Sequence, residues 1–362
     1  MQTSESVGKG HPDKMCDIIS DSILDEAITK DPKSRVAVET WVKDNSVGLI
    51  GEITTSASID YEQIIRKTLK EIGYSDEFWG INPDTCKIYN LLGEQSSEIS
   101  QGVDVDGAGD QGIMWGYATD ETREFLPLSQ VLSNELLKKT DELRSQYTFL
   151  RPDMKSQVTI DNGKIHTIIM AVQHSKEISE QELKEFLKKE VINPICKDYL
   201  KEDTKIIING TGAFTIGGPK GDAGLTGRKI IVDTYGGIGR HGGGAFSGKD
   251  PTKVDRSAAY MARYIAKNIV GSGVAKEAEV QLGYCIGVSD PVSVKVIVDG
   301  KENQELALKV KQNFPLNPSG IINHLSLRNP NGWQYKKTAS FGHFGRNEFP
   351  WEKLDKVDVF RK

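Results

Sequence analysis

The sequence predicts an α+β protein built from three similar units. Three observations carry this. Paired strand patterns begin at residues 36, 157 and 280, so successive starts lie 121 and 123 residues apart, each about a third of the 362-residue chain. An apolar helical pattern precedes each pair, and after the first two a charged or amphipathic helix follows directly, as one does near 303–313 after the third. The pairs close through tight turns, which makes them antiparallel and puts helices on one face of each sheet rather than on both faces of a parallel one.

In chain order, residues 13–29 read as a helix with Pro12 at its first position and a stripe of Met15, Ile18, Ile19, Ile23 and Ala27. Residues 36–43 and 47–58 read as strands around Asp44-Asn45, with a helix over 61–72. A helix over 128–147 leads to strands 157–161 and 164–173 around Asn162-Gly163, a strong hairpin signal. A charged helix follows at about 179–191. The β-branched run Lys229–Tyr235 reads as a strand, and 253–270 as a helix. Strands 280–288 and 291–299 then precede a helix near 303–313. The expected domains are 1–105, 106–217 and 218–362, with room for the first helix and strands to interleave.

Composition narrows the function. No apolar run approaches the roughly 18–20 residues that span a bilayer, and no signal peptide is visible, so no membrane partner is expected. Four cysteines are scattered without a C-x-x-C, which suits reduced thiols in a cytoplasmic protein. The net charge of −5 gives no global attraction for nucleic acid.

The main anomaly is glycine. Of 36 glycines, 12 fall in residues 217–248. Residues 220–256 also carry seven Lys/Arg (Lys220, Arg228, Lys229, Arg240, Lys249, Lys253, Arg256) against four Asp. Backbone stripped of side chains among clustered cations suits a polyphosphate, with main-chain N–H groups and cations closing on the anion. Two familiar phosphate motifs nearly fit. Gly237–Gly242 spells G-x-G-x-x-G but opens no helix and carries Arg240 and His241 inside it. Gly243–Lys249 spells G-x-x-x-x-G-K, but Asp250 stands where a P-loop needs a hydroxyl for Mg²⁺. A kinase-like phosphotransferase yielding ADP is therefore disfavoured.

A second cluster, Gly10-His11-Pro12-Asp13-Lys14, sits at a loop–helix junction. Asp13 there either complements the helix dipole or, with His11, is presented for chemistry as a Mg²⁺ ligand beside a proton donor. Glu39 and Glu52 stand in otherwise apolar strands, so each either holds a cation or lies on an exposed face. The polar stretch Gln95–Asp106 before Gly107–Gly112 reads as a lid or a linker. His166, His174, His324 and His343 read as structural or exposed.

These pieces resemble, from end to end, the S-adenosylmethionine synthetase (methionine adenosyltransferase) family: Thr3–Val7 with Gly10–Lys14, Gly51–Ala57, Gly107–Gly112, Arg151–Thr159, Gly217–Gly237, His241–Asp250, Lys253–Tyr260 and Phe341–Trp351. The resemblance implies three domains about a pseudo-threefold axis. It implies a homodimer with shared active sites, often a dimer of dimers, here a homotetramer. The implied reaction joins ATP and L-methionine, with the sulfur attacking C5′ and the bound triphosphate then hydrolysed to phosphate and diphosphate. A thioether has no proton to lose, so the barrier lies in the departing charge, which cations and Mg²⁺ must meet.

Carried over by residue, the resemblance implies that His11 contacts the leaving oxygen and triphosphate. Asp13 and Asp255 bind two Mg²⁺. Lys155, Arg228, Lys229, Arg240, Lys249 and Lys253 form the polyphosphate cradle, with Ala245 in its wall. Glu52, Gln95 and Asp222 hold the methionine amino-acid group, which Lys253 also adjoins. Asp222 also belongs to the ATP site, where Phe214 and Ile286 pack the adenine. Glu39 binds K⁺, and Gln95 to about Gly109 gates the site. Lys9 replaces the family's usual acidic residue and Ala213 its usual arginine, which suggests that Lys9 restores charge near the nucleotide. The 95–110 loop is shorter than in many members.

Overall fold

The computed structural model describes residues 1–94 and 107–361. Its strands are β1 (Gln2–Val7), β2 (Arg35–Lys43), β3 (Ser46–Thr54), β4 (Lys87–Gly93), β5 (Gly112–Thr119), β6 (Leu150–Asp161), β7 (Lys164–His174), β8 (Lys205–Ile208), β9 (Gly224–Leu225), β10 (Glu277–Tyr284), β11 (Ser293–Val298) and β12 (Lys301–Glu302). The longer helices are α1 (Pro12–Lys30), α2 (Tyr61–Ile72), α3 (Leu128–Leu143), α4 (Glu180–Leu187), α5 (Val254–Gly271) and α6 (Gln304–Asn313).

The strands form three four-stranded sheets, in the orders β9-β2-β3-β4, β1-β6-β7-β8 and β5-β10-β11-β12. The three share one plan. A hairpin (β2-β3, β6-β7 or β10-β11) forms the centre. Its first strand gains an antiparallel neighbour from a distant part of the chain: β9, β1 or β5. Its second strand gains the next strand in sequence: β4 and β8 run parallel, whereas β12 is antiparallel. The predicted α+β class with three alike units is what the chain adopts. Each sheet borrows one strand, so no sheet is cut from one continuous segment.

The Asn162-Gly163 turn has φ of +50° and +74°, the type I′ geometry that fits strand twist. Asp299-Gly300 repeats it, with φ of +47° and +78°, and adds β12, which the sequence reading did not include. One buried helix backs each sheet: α1 on β2, α3 on β1 and β6, and α5 on β5 and β10. The α1 and α5 cores run together through Met15, Ile19, Met261 and Ile265, while α3 closes a second core with Met154, Ile168 and Leu187.

One element differs from expectation. Lys229–Tyr235 is not a strand: Ile230–Asp233 forms a helical turn. Its β-branched side chains predict extension, but the local fold overrides them. Asp233 is drawn inward onto Lys14, and the main chain of His343 donates to its carbonyl at 2.9 Å.

Candidate active site

The site begins at the start of α1. Pro12 occupies the first turn, and His11 caps it, its Nδ1 accepting the Asp13 N–H at 3.1 Å. Burial, then the positive fields of Lys155 and Lys229, push the His11 pKa down to about 3. The ring is therefore neutral, and since Nδ1 accepts, Nε2 carries the proton. Asp13 Oδ2 pairs with Lys229 Nζ at 2.6 Å, and Oδ1 accepts the Leu225 N–H at 3.0 Å, with Arg228 at 3.8 Å. Burial opposes ionisation of Asp13, but Lys229 and the Leu225 amide outweigh it and hold the carboxyl below its usual range. Lys155 enters from β6, where pairing with Val7 of β1 sets it opposite the strand leading to His11.

A second group sits at the start of α5. Asp255 Oδ2 pairs with Lys249 Nζ at 2.6 Å, and its Oδ1 accepts the Gly244 N–H at 3.0 Å. Lys253 Nζ lies 2.6 Å from Asp250 Oδ2. Asp250 is fully buried and also accepts the Val36 N–H at 2.8 Å. Burial opposes its charge, yet Lys253 and Arg328 keep its carboxyl below the usual range. Its side chain faces β2, so it does not imitate a P-loop hydroxyl.

The glycine-rich block joins the two groups by lying along the free edge of β2. Leu225 and Gly224 pair with Trp41 and Val42 at one end. At the other, the Val38 N–H donates to Gly248 O and the Asp250 N–H to Val36 O, both at 3.0 Å. Ala245 meets Gly227, where an added Cβ would lie 2.5 Å from its own. The main-chain amides differ from expectation. Those of Leu225, Gly227, Gly244 and Gly248 point not to an open anion site but into carboxylates of Asp13, Asp17, Asp255 and Asp21. In this block glycine permits close packing, and carboxylates engage both its amides and its lysines.

The structure thus gathers His11, Asp13, Lys155, Arg228 and Lys229 in one group, and Lys249, Lys253 and Asp255 in the other. The remaining candidates lie around them. Arg240 pairs with Glu279 of β10 and lies over Trp115. Phe214 sits beside His174, whose Nε2 accepts its N–H at 3.2 Å, while Ile286 bridges to Ala108. Asp222 is exposed and accepts the Ala223 N–H at 2.9 Å. Glu39 and Glu52 are exposed on the open face of their sheet. Gln95 lies outside the described residues, as does the 95–106 stretch read as a lid.

Lys9 does not turn towards this site. Its ammonium pairs with Asp141 at 2.7 Å and lies over Phe341, so it does not stand in for the arginine replaced by Ala213.

Sequence reading passed over Asp153. It is buried, its Oδ2 accepts the Gly218 N–H at 2.9 Å, and among the described residues its Oδ1 has no partner. Burial, with Asp222 and Asp13 adding, pushes its pKa up to about 6. The signal was available in Arg151–Lys155, where Asp153 and Lys155 bracket one residue of β6. Among the described residues no three His, Cys, Asp or Glu side chains converge as a metal cage, and no helix is long and apolar enough to cross a membrane.

A chain of three alike α+β units, with paired lysines and carboxylates along a glycine-rich wall, has the architecture of a transferase acting on a nucleoside polyphosphate. Family models bear this out along the chain: the N-terminal, central and C-terminal domains of S-adenosylmethionine synthetase match residues 1–97, 105–214 and 216–353. The chain is 52% identical over 375 aligned positions to the S-adenosylmethionine synthase of Mesoplasma florum, covering 99% of each. It belongs to the S-adenosylmethionine synthetase family, and its activity is that of a methionine adenosyltransferase.

Proposed function

We propose that the triphosphate of ATP lies between the two groups, against Lys155, Arg228, Lys229, Lys249 and Lys253, with Arg240 at the margin and Ala245 in the wall. The observation that supports this most is the pairing of Lys229 with Asp13 and of Lys249 with Asp255. Each pair couples a cation for the leaving group to a carboxylate suited to Mg²⁺. The donor chemistry fits two such ions: one hard carboxylate each, with phosphate oxygens and water completing the shell. When bound, Mg²⁺ would neutralise charge on the departing triphosphate. His11, neutral with its proton on Nε2, donates to the leaving oxygen as the methionine sulfur attacks C5′.

Glu52, Gln95 and Asp222 hold the methionine amino-acid group near Lys253. Glu52 lies opposite Ala37, which bridges to Lys249, so that strand end adjoins the polyphosphate wall. Phe214 and Ile286 pack the adenine, and Glu39 takes K⁺. Two copies form the working unit, paired further as a tetramer. Trp41, stacked on Tyr89, and the exposed Leu91 share the open sheet face with Glu39 and Glu52, an apolar surface suited to a second copy. We place the boundaries near 105 and 217 and the protein in the cytoplasm, where its four free cysteines suit a reducing environment.

The test is the product. Incubation with ATP, methionine, Mg²⁺ and K⁺ should give the sulfonium compound, phosphate and diphosphate. ADP formation independent of methionine would overturn the reading. Omitting Mg²⁺ or K⁺ in turn assigns the ions.

A further inference from the structure

We propose that Asp17 and Asp21 are positioning residues of the polyphosphate site: their buried carboxylates hold the main-chain N–H groups of Gly227 and Gly248 and so set where Arg228, Lys229 and Lys249 stand. This rests on the assignment of those cations to the triphosphate.

Asp13, Asp17, Asp21 and Asp25 recur every fourth residue of α1, one above another on a single face. Like charges at that spacing oppose each other, and burying them costs more. Asp17 and Asp21 are nevertheless completely buried. Asp21 has a buried cation to itself, whereas Asp17 shares Lys14 with the buried Asp233. Asp17 Oδ2 lies 2.8 Å from Lys14 Nζ, and Asp21 takes both arms of Arg256 at 2.7 and 2.8 Å. Neither cation takes up all of the carboxylate's acceptor capacity, leaving some over. One glycine N–H takes it in each case: Gly227 to Asp17 Oδ1 and Gly248 to Asp21 Oδ1, both at 2.9 Å.

The two glycines are not arbitrary. Gly227 immediately precedes Arg228-Lys229, and Gly248 immediately precedes Lys249. Gly248 has φ +80°, and an added Cβ would come within 1.9 Å of Val38 O, so a short charged anchor meets a backbone position with little freedom. Arg256 reinforces the second anchor by donating to Lys249 O at 3.1 Å. Asp25 differs. Its two oxygens accept the Tyr335 and Lys336 N–H groups at 2.7 and 2.9 Å, which belong to the C-terminal segment and not to the wall.

The difference supplies the control. Affinity for inorganic triphosphate with Mg²⁺ is measured on Asp17→Asn, Asp21→Asn, Asp25→Asn, Lys229→Met and Lys249→Met, with melting temperatures alongside. We expect Asp17→Asn and Asp21→Asn to weaken triphosphate binding on the order of tenfold or more, since small displacements of positioned groups are costly. Asp25→Asn should shift the melting temperature without changing that affinity. If all three aspartate variants weaken binding equally, or Asp17→Asn and Asp21→Asn are folded and bind normally, positioning is overturned. If instead Lys229→Met and Lys249→Met bind normally, the cradle assignment itself fails. Should an aspartate variant not fold, amide exchange in the wild-type protein without ligand decides: Gly227 and Gly248 should be protected, and free exchange would overturn the proposal.

Discussion

Lys229 Nζ sits 2.6 Å from Asp13 Oδ2, so under the proposed assignment the lysine for the polyphosphate occupies the carboxylate for the metal. Neither group is idle without ligand. Under that assignment an arriving anion would release the carboxylate as it engages the lysine, which would tie metal binding to nucleotide binding. Asp13→Asn should lower turnover on the order of a thousandfold, with a melting temperature close to wild type, because Lys229 is partly exposed and can re-solvate. Steady-state turnover with titrated Mg²⁺, and circular dichroism on the same samples, check this. Retained turnover would contradict the metal role.

Gly244 gives the glycine-rich wall a direct test. A Cβ there would lie 3.0 Å from Lys249 Nζ and 3.4 Å from Asp255 Oδ2. Gly244→Ala should push that pair apart and cut kcat/KM for ATP roughly tenfold, while stability stays near wild type. Kinetics with ATP varied at saturating methionine read the effect; an unchanged kcat/KM would mean the wall tolerates side chains.

Much of this was legible in the chain, for identifiable reasons. Asn162-Gly163 announces its hairpin because both residues tolerate positive φ. Asp13 and Lys249 lie in runs whose local pattern already names a helix start and a glycine loop. What the chain hides is pairing at long range. That Lys229 meets Asp13 depends on β9 joining β2, a contact between residues far apart in sequence. The Lys229–Tyr235 run misleads because its side-chain branching speaks only to local preference, while Asp233 answers to Lys14. The aspartates of α1 were visible at every fourth residue, but their partners were not.

Asp25 makes stability depend on pH. Burial pushes its pKa up to about 7, from an ordinary 3.8, despite two main-chain donors. Between those values the folded state binds more protons than the unfolded one. Its contribution is fully present below pH 3.8 and is lost as pH rises through 7. Asp25→Asn removes that dependence, so its melting temperature relative to wild type should rise between pH 5 and pH 8. Paired thermal melts across that range check the sign; a constant difference would show that Asp25 is ionised throughout.

Arg256 and Asp21 form a pair with no exposure on either side chain. Tyr260 extends it: Arg256 Nε donates to the Tyr260 hydroxyl at 2.9 Å, and that hydroxyl is hydrogen-bonded to His343 Nδ1 at 2.8 Å. Removing only the cation leaves a buried carboxylate facing Gly248 alone, which costs about 3–5 kcal/mol for pairs of this kind. Arg256→Met should therefore lower the unfolding free energy by that much. The double variant Arg256→Met with Asp21→Asn should recover a large part of the loss, because no unpaired charge remains. Chemical denaturation of the three variants distinguishes the cases. If the double variant is less stable than Arg256→Met, the cost lies in lost packing around the guanidinium and not in the stranded charge.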